Sequence, residues 1–256
     1  QAPAPAAVFE LAGFPDPHPD RTPDEWLAAL GGLPLICQPG ERWLYNTGSD
    51  VLGVLIARAS GKPLEEFLRE RIFDPLGMRD TGFAVPTEHL DRVATGYWVD
   101  PATDELGRPS GPQTVATPPT RPSASGGLLS TADDYFAFTE MLRAGGRFGS
   151  ERLLSRPAVE AMTTDQIPAS VKAVSGFSAE WFETRGWGFG VAVNTGKDAL
   201  ESNPGRYGWD GGSGTSWFTD PAEDLTAILL TQRGQFPLAS PVYLDFWTSV
   251  YQAIGD

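Results

Sequence analysis

The sequence predicts a mixed α/β protein of the α+β kind, with helices packed against an antiparallel sheet. Three observations carry that prediction. Apolar residues recur at helical period in the first two thirds of the chain, most clearly at Val51, Leu52, Val54, Leu55 and Ile56. The period then changes to two, in runs 187–193, 206–209, 215–219 and 225–231. Asp220-Pro221-Ala222-Glu223-Asp224 reads as a hairpin turn joining the last two runs, which makes them antiparallel. The expected organisation is one domain, with helices and loops over about residues 20–165 and sheet hairpins with a closing helix over about 186–256.

Each element has its own signal. The first twenty residues are Pro-rich and read as loop. The opening QAPAPAA has neither the basic nor the apolar region of a signal peptide, so it is expected to be a linker reached partway through a gene product. A helix should start at Thr22-Pro23-Asp24-Glu25, where a capping hydroxyl precedes Pro and two acids, and stop at Gly31-Gly32. The next is predicted over 50–59, capped by Thr47 or Ser49 and ended by Gly61. Another covers 63–72 and ends at Asp74-Pro75. Residues 81–125 lack periodicity and should form long loops. Ser130-Thr131 opens a helix that runs to Arg143 and closes at Gly145-Gly146. Ser155 caps a shorter one through Met162, and a last helix is predicted over 242–253.

Composition narrows the function. The chain of 256 residues, with 8 Trp, 14 Phe and 6 Tyr, has ample apolar surface for a core and does not read as disordered. A net charge of −14 argues against nucleic acid or an anionic membrane surface as partner. No run approaches the roughly 18 to 20 apolar residues of a membrane span. The single cysteine, Cys37, rules out an internal disulfide framework and is expected to be a buried structural thiol. His18 and His89 lie far apart in loop sequence and read as solvated residues, so no metal site, cofactor or Ser-His-Asp arrangement is predicted. The GxSxG and GxxxxGK[ST] signatures are absent.

Two features remain. Tyr45 follows the turn-forming run Gln38-Pro39-Gly40-Glu41-Arg42-Trp43-Leu44 and precedes the helix expected near Asp50. A tyrosine at such a junction can project its hydroxyl into a cleft. With a cation beside it, its phenolate can act as general base toward a serine. Taken alone, a tyrosine beside a tryptophan reads first as a core or rim aromatic. The second feature is the glycine-rich run from Gly208 to Phe218. Glycines in strand-like sequence imply close approach to the backbone, whose N–H groups could serve as oxyanion donors. The plainer alternative, favoured by the run on its own, is a hairpin turn between Trp209 and Thr215.

Together these stretches resemble the penicillin-recognising serine hydrolases, a group that includes class C β-lactamases, D-aminopeptidases and esterases of β-lactamase fold. PGERWLYNTGSDVLGVLIARASGKPLEEFLRERIFDPLGMRDTGF (39–83) carries the resemblance. SASGGLLSTADDYFAFTEMLRAGG (123–146), RLLSRPAVEAMTTDQI just after it, and GWDGGSGTSWFTDP (208–221) follow in the family's order. It covers nearly everything from about residue 26 onward. It implies a β-lactamase/transpeptidase-like fold, an antiparallel sheet flanked by helices plus a helical lobe, with the N-terminal part missing.

That family uses a Ser-x-x-Lys nucleophile, a tyrosine motif and a KTG-like strand. The resemblance puts Tyr45 on the tyrosine, as base acting with the motif's lysine. Class C enzymes have Asn two residues later; here Thr47 stands there, with Asn46 one earlier as a substrate-binding neighbour. A register shifted by one would put Leu44 on the tyrosine, which cannot catalyse. Trp209-Asp210-Gly211 matches the KTG strand and would contact substrate. Trp209 offers no charge to a β-lactam carboxylate, and the esterase branch carries Trp-x-Gly here. Gly212 would supply the second oxyanion N–H, while Ser125, Gly126 and Gly127 match a segment near the cleft with an expected structural role.

One family element has no counterpart. The residues three before Lys62, Lys172 and Lys197 are Ala59, Ala169 and Asn194, so no Ser-x-x-Lys exists in the sequence. The expectation is a missing segment, not a nucleophile mutated in place. The expected function is a carboxylesterase that acts on small esters through an acyl-enzyme, its nucleophile outside this chain, which alone would be inactive. The alternatives are a β-lactamase or D-aminopeptidase acting on an amide, and a nucleophile-free binding module. A complementing N-terminal fragment or a second copy is expected to cover exposed sheet and core surface.

Overall fold

A computed structural model describes residues 20–100, 103, 105–107, 112–176, 178, 180–234 and 241–255. The Pro-rich opening and His18 lie outside the described residues. Helix α1 (Pro23–Gly31) begins with a reciprocal cap: Glu25 N donates to Thr22 Oγ1 and Thr22 N to the Glu25 carboxylate. Its Trp26 is fully buried, with the Arg121 guanidinium 4.5 Å from the ring centroid.

Helix α2 (Thr47–Ser60) starts three residues earlier than the sequence predicted. Neither Thr47 nor Ser49 caps it, because both lie inside the helix; the capping position is Asn46, whose side chain makes no capping bond. Gly61, left-handed at φ 68°, ends the helix as expected. The following helix does not stop at Asp74-Pro75. From α3 (Leu64–Leu68) the chain passes through a π-turn (Arg69–Phe73) into α4 (Asp74–Leu76), with Asp74 N donating to Arg69 O. Pro75 sits at the start of α4, where its fixed φ suits the helix, and left-handed Gly77 ends the run.

The described residues of 81–125 are largely irregular, with two 3₁₀ turns among them (Thr87–Arg92 and Pro112–Val115) and the short strand β1 (Tyr97–Trp98). Helix α5 (Ala132–Arg143) is capped by Thr131. The hairpin of β2 (Arg147–Phe148) and β3 (Glu151–Arg152) leads to α6 (Arg156–Met162), capped by Ser155, and the single turn α7 (Ala169–Lys172).

The main sheet is antiparallel, in the order β4 (Arg185–Trp187), β5 (Ala192–Asn194), β6 (Tyr207–Gly211), β7 (Thr215–Asp220), β8 (Leu225–Leu230). The run 187–193, expected as one strand, is two strands folded at residues 188–190. A Cβ on Gly188 would lie 1.9 Å from Met162 O, and Gly190 has φ 90°, so these glycines serve a turn and a close approach. The β7–β8 hairpin forms where predicted, with Asp220 Oδ1 accepting from Ala222 N across the turn. The short β9 (Arg233–Gly234) pairs in parallel with β1.

One face of the sheet supplies Val193, Tyr207 and Trp217 to a core shared with Phe73, Leu76, Met78, Met141 and Leu142. The helical region and the sheet are therefore joined by a common core, in which each large apolar side chain contributes about 1.5–3 kcal/mol. The opposite face carries Phe218 against Trp247 and Tyr251 of the closing helix α8 (Pro241–Gln252).

Helix α2 is apolar on more than its buried side. Asp50, Gly53 and Val54 face inward, whereas Leu52 and Leu55 are 52% and 57% exposed. Leu35, Ile36 and Leu44 are exposed as well, and Leu35, Ile36, Cys37, Leu44 and Thr47 are among the residues lining an apolar groove of about 230 Å³. Cys37, expected to be buried, is half-buried in that lining because the 33–37 segment runs along the surface. Among the described residues no helix is long and apolar enough to cross a membrane.

Candidate active site

The site begins with an extended segment. Trp43 and Tyr45 fall on one side of it and Leu44 on the other. Trp43 N donates to Ser175 Oγ at 2.9 Å, tying the segment to the loop after α7. The Trp43 ring stacks on Trp181 at 5.8 Å and meets Trp187 at 5.1 Å and Phe182 at 5.6 Å. Tyr45 meets Trp187 edge-on at 5.8 Å.

Strand β6 completes this wall. Trp209 lies 4.7 Å edge-on from Trp187 and 5.4 Å from Tyr45, and its indole N–H donates to Tyr45 Oη at 2.7 Å. Tyr45 and Trp209, selected from distant motifs, are thus in direct contact. Burial raises the Tyr45 phenol above its ordinary pKa, and the bond from Trp209 opposes that shift without cancelling it.

The remaining backbone of β6 divides between two sides. Asn194 N donates to Arg206 O at 2.8 Å, so the Arg206 carbonyl faces β5. Alternate residues of an antiparallel strand direct their backbone groups to the same neighbour. Gly208 and Asp210 therefore face β5 as well, and Gly211 faces β7, where its oxygen accepts from Gly214 N at 3.0 Å. Toward the turn, the β5 ladder ends at Gly208 among the described residues. Beyond Gly208, strand β6 outruns β5 and leaves a strand edge beside Trp209. Gly212 lies in the turn that follows.

Asp210 does not join Tyr45. It is on the α8 side of the sheet, where its Oδ1 accepts from Ser216 Oγ at 2.5 Å and Ser216 Oγ accepts from Trp247 Nε1 at 2.8 Å. The alternation of β6 enforces this, since Trp209 occupies the cleft face. Burial raises the Asp210 carboxyl, with Ser216 and Arg206 pulling it down. Gly211 is confined by Thr215, whose Oγ1 would lie 2.3 Å from an added Cβ. The run is thus the hairpin turn of the plainer reading, with Trp209 turned toward Tyr45.

Asn46 stands next to Tyr45 with φ 87° and ψ −79°, a backbone conformation rare outside glycine. The bend it makes lets the chain leave the extended segment and enter α2 immediately after Tyr45, where Ser49 N donates to Asn46 O at 2.9 Å. Behind it, buried Asp50 accepts from Ser123 Oγ and Ser125 Oγ, both at 2.8 Å, and lies 3.9 Å from Arg121 Nη1. Ser125 therefore helps dock the 121–125 loop on α2. Gly53 allows that contact, since its Cβ would sit 2.7 Å from Ala124 Cβ.

Sequence reasoning missed Trp43, Trp181 and Trp187 as parts of this site. The spacing of Trp43 and Tyr45 could have revealed the first. Trp181 sits in aperiodic sequence, and Trp187 was assigned to a strand that the structure breaks.

Comparison with known proteins agrees with this architecture. The profile of the family described as Beta-lactamase matches residues 8–243. Protein Rv1367c of Mycobacterium tuberculosis is 41% identical over 218 residues, covering 82% of this chain and 54% of that protein. Esterase EstB of Burkholderia gladioli is 32% identical over 249 residues, covering 89% of this chain and 59% of that protein. The structure of EstCE1, described as a hydrolase with promiscuous acyltransferase activity, superposes with a TM-score of 0.73 at 26% identity, covering 91% of this chain and 62% of that one. The chain thus spans between half and three fifths of these curated relatives' length. Its sequence motifs, its helix-flanked antiparallel sheet and these matches together identify the chain as a member of the Beta-lactamase family.

Proposed function

We propose that this chain supplies the tyrosine and oxyanion side of a serine esterase, whose Ser-x-x-Lys pair lies on a segment outside the sequence. The observation that carries the reading is the Trp209–Tyr45 hydrogen bond beside the strand edge of β6. A phenol raised by burial keeps its proton at neutral pH and offers no base there. A lysine beside it would pull it down, so that it could take the proton of an attacking serine. The Gly212 amide would then stabilise the oxyanion of the acyl-enzyme intermediate.

Trp209 favours neutral esters, because it stands where a cation would attract a substrate carboxylate, and the wall around it is aromatic. The exposed apolar side of α2 and the adjoining groove support a covering element next to Tyr45, either the nucleophile-bearing segment or a second copy. Intact-mass analysis after treatment with a fluorophosphonate tests the reading. This chain alone should stay unlabelled, and a protein that also carries the Ser-x-x-Lys segment should gain one adduct and hydrolyse a short p-nitrophenyl ester. Labelling of this chain alone, or a complete protein that hydrolyses nitrocefin well and esters poorly, would contradict it.

A further inference from the structure

The Gly211 oxygen has two donors. One is Gly214 N at 3.0 Å, across the turn, and the other is the Tyr243 hydroxyl at 2.8 Å, from the first turn of α8. The Tyr243 ring packs with the cluster of Phe218, Trp247 and Tyr251 that fixes α8 to the sheet. Gly211 O and Gly212 N belong to one peptide group. In a trans peptide the C=O and N–H point in opposite directions. Drawing the oxygen toward β7 and α8 therefore turns the Gly212 N–H away from them, toward the β5 side, where β6 has an open edge.

With glycine on both sides, that peptide could rotate at little steric cost. Among the described residues, its carbonyl is held by the Gly214 amide within the turn and, from outside the turn, by the Tyr243 hydroxyl. We propose that Tyr243 is a positioning residue, which fixes the Gly211–Gly212 peptide so that the Gly212 amide is aimed into the cleft. The inference rests on the oxyanion reading of Gly212 given above. Hydrogen bonding at the carbonyl also polarises the amide, which makes its N–H a better donor. A second link from the same helix, Trp247 through Ser216 to Asp210, braces the strand just before the peptide. The closing helix thus holds the back of the site at two points.

Tyr243→Phe removes the hydroxyl and keeps the ring. In this chain labelled with ¹⁵N-glycine, the Gly212 amide resonance should move, while glycines distant from the turn stay in place. Incorporating 3-fluorotyrosine at position 243, a stronger donor of nearly the same shape, should move it in the opposite direction. In the protein that also carries the Ser-x-x-Lys segment, Tyr243→Phe should lower kcat roughly 10-fold with little change in KM, since a misaimed oxyanion donor costs less than the 10²–10³ of a deleted one. An unmoved Gly212 resonance in both variants would overturn the proposal. A moved resonance with unchanged kcat would support the brace and overturn the oxyanion role of Gly212.

Discussion

The indole N–H of Trp209 is donated to the Tyr45 hydroxyl at 2.7 Å, joining residues 164 positions apart. This bond favours the phenolate, against the burial that opposes it. Trp209→Phe keeps a ring in the wall but removes the donor. The Tyr45 phenol should then titrate at higher pH than in the parent, followed by ultraviolet difference spectra. Stability should fall by about 1 kcal/mol, the ordinary net worth of one such bond. An unchanged or lowered phenol titration would contradict this.

Burial raises several other phenols, to about 12 for Tyr135 and Tyr243, and upward also for Tyr207 and Tyr251. A phenol with a folded pKa above its unfolded value of about 10 keeps its proton longer in the native state. The stability this contributes is fully present below about pH 10 and is lost as the pH climbs through the folded values. Urea unfolding followed from about pH 8 to about pH 12 should show a stability that declines over the upper half of that range. A flat or rising profile there would be inconsistent with these buried phenols.

Asp50 anchors Ser123, Ser125 and Arg121 at once. Asp50→Ala removes the charged acceptor of the Ser123 and Ser125 hydroxyls, so the loss should reach about 3 kcal/mol, the worth of two hydrogen bonds to a charged group. Chemical denaturation measures it. A loss below about 1 kcal/mol would mean that the 121–125 loop is held by other contacts.

Gly53→Ala sets two effects against each other. Alanine favours the helix by about 1 kcal/mol. Its Cβ would meet Ala124 Cβ at 2.7 Å and Leu64 Cδ2 at 3.0 Å, and overpacking of that kind costs about 1–3 kcal/mol. The thermal midpoint should fall. A rise would show that the 121–125 loop can shift at no cost.

Much of this fold was legible in the sequence because its signals are local. The caps at Thr22, Thr131 and Ser155 act within three residues, and the β7–β8 turn carries its own Asp-Pro signature. The errors arose where a distant contact or an irregular helical turn decided the local structure. Gly188 turns because Met162 O fills the space a side chain would need, and the π-turn carries α3 past Pro75. In the site, Tyr45 and Trp209 could be picked out by motif. The Asp210 side chain could not be oriented until the alternation of β6 was fixed, nor could Tyr243, which reaches Gly211 from 32 residues away.

The proposed role of the Tyr45 hydroxyl is proton transfer, as distinct from that of a packed aromatic. Steady-state hydrolysis of a short p-nitrophenyl ester by Tyr45→Phe, in the protein that also carries the Ser-x-x-Lys segment, separates the two. The expected result is a kcat lower by roughly 10²–10⁴-fold, the usual worth of a general base, with the fold retained by circular dichroism. A kcat within about twofold of the parent would leave Tyr45 a packed aromatic, because losing a general base should cost at least a hundredfold.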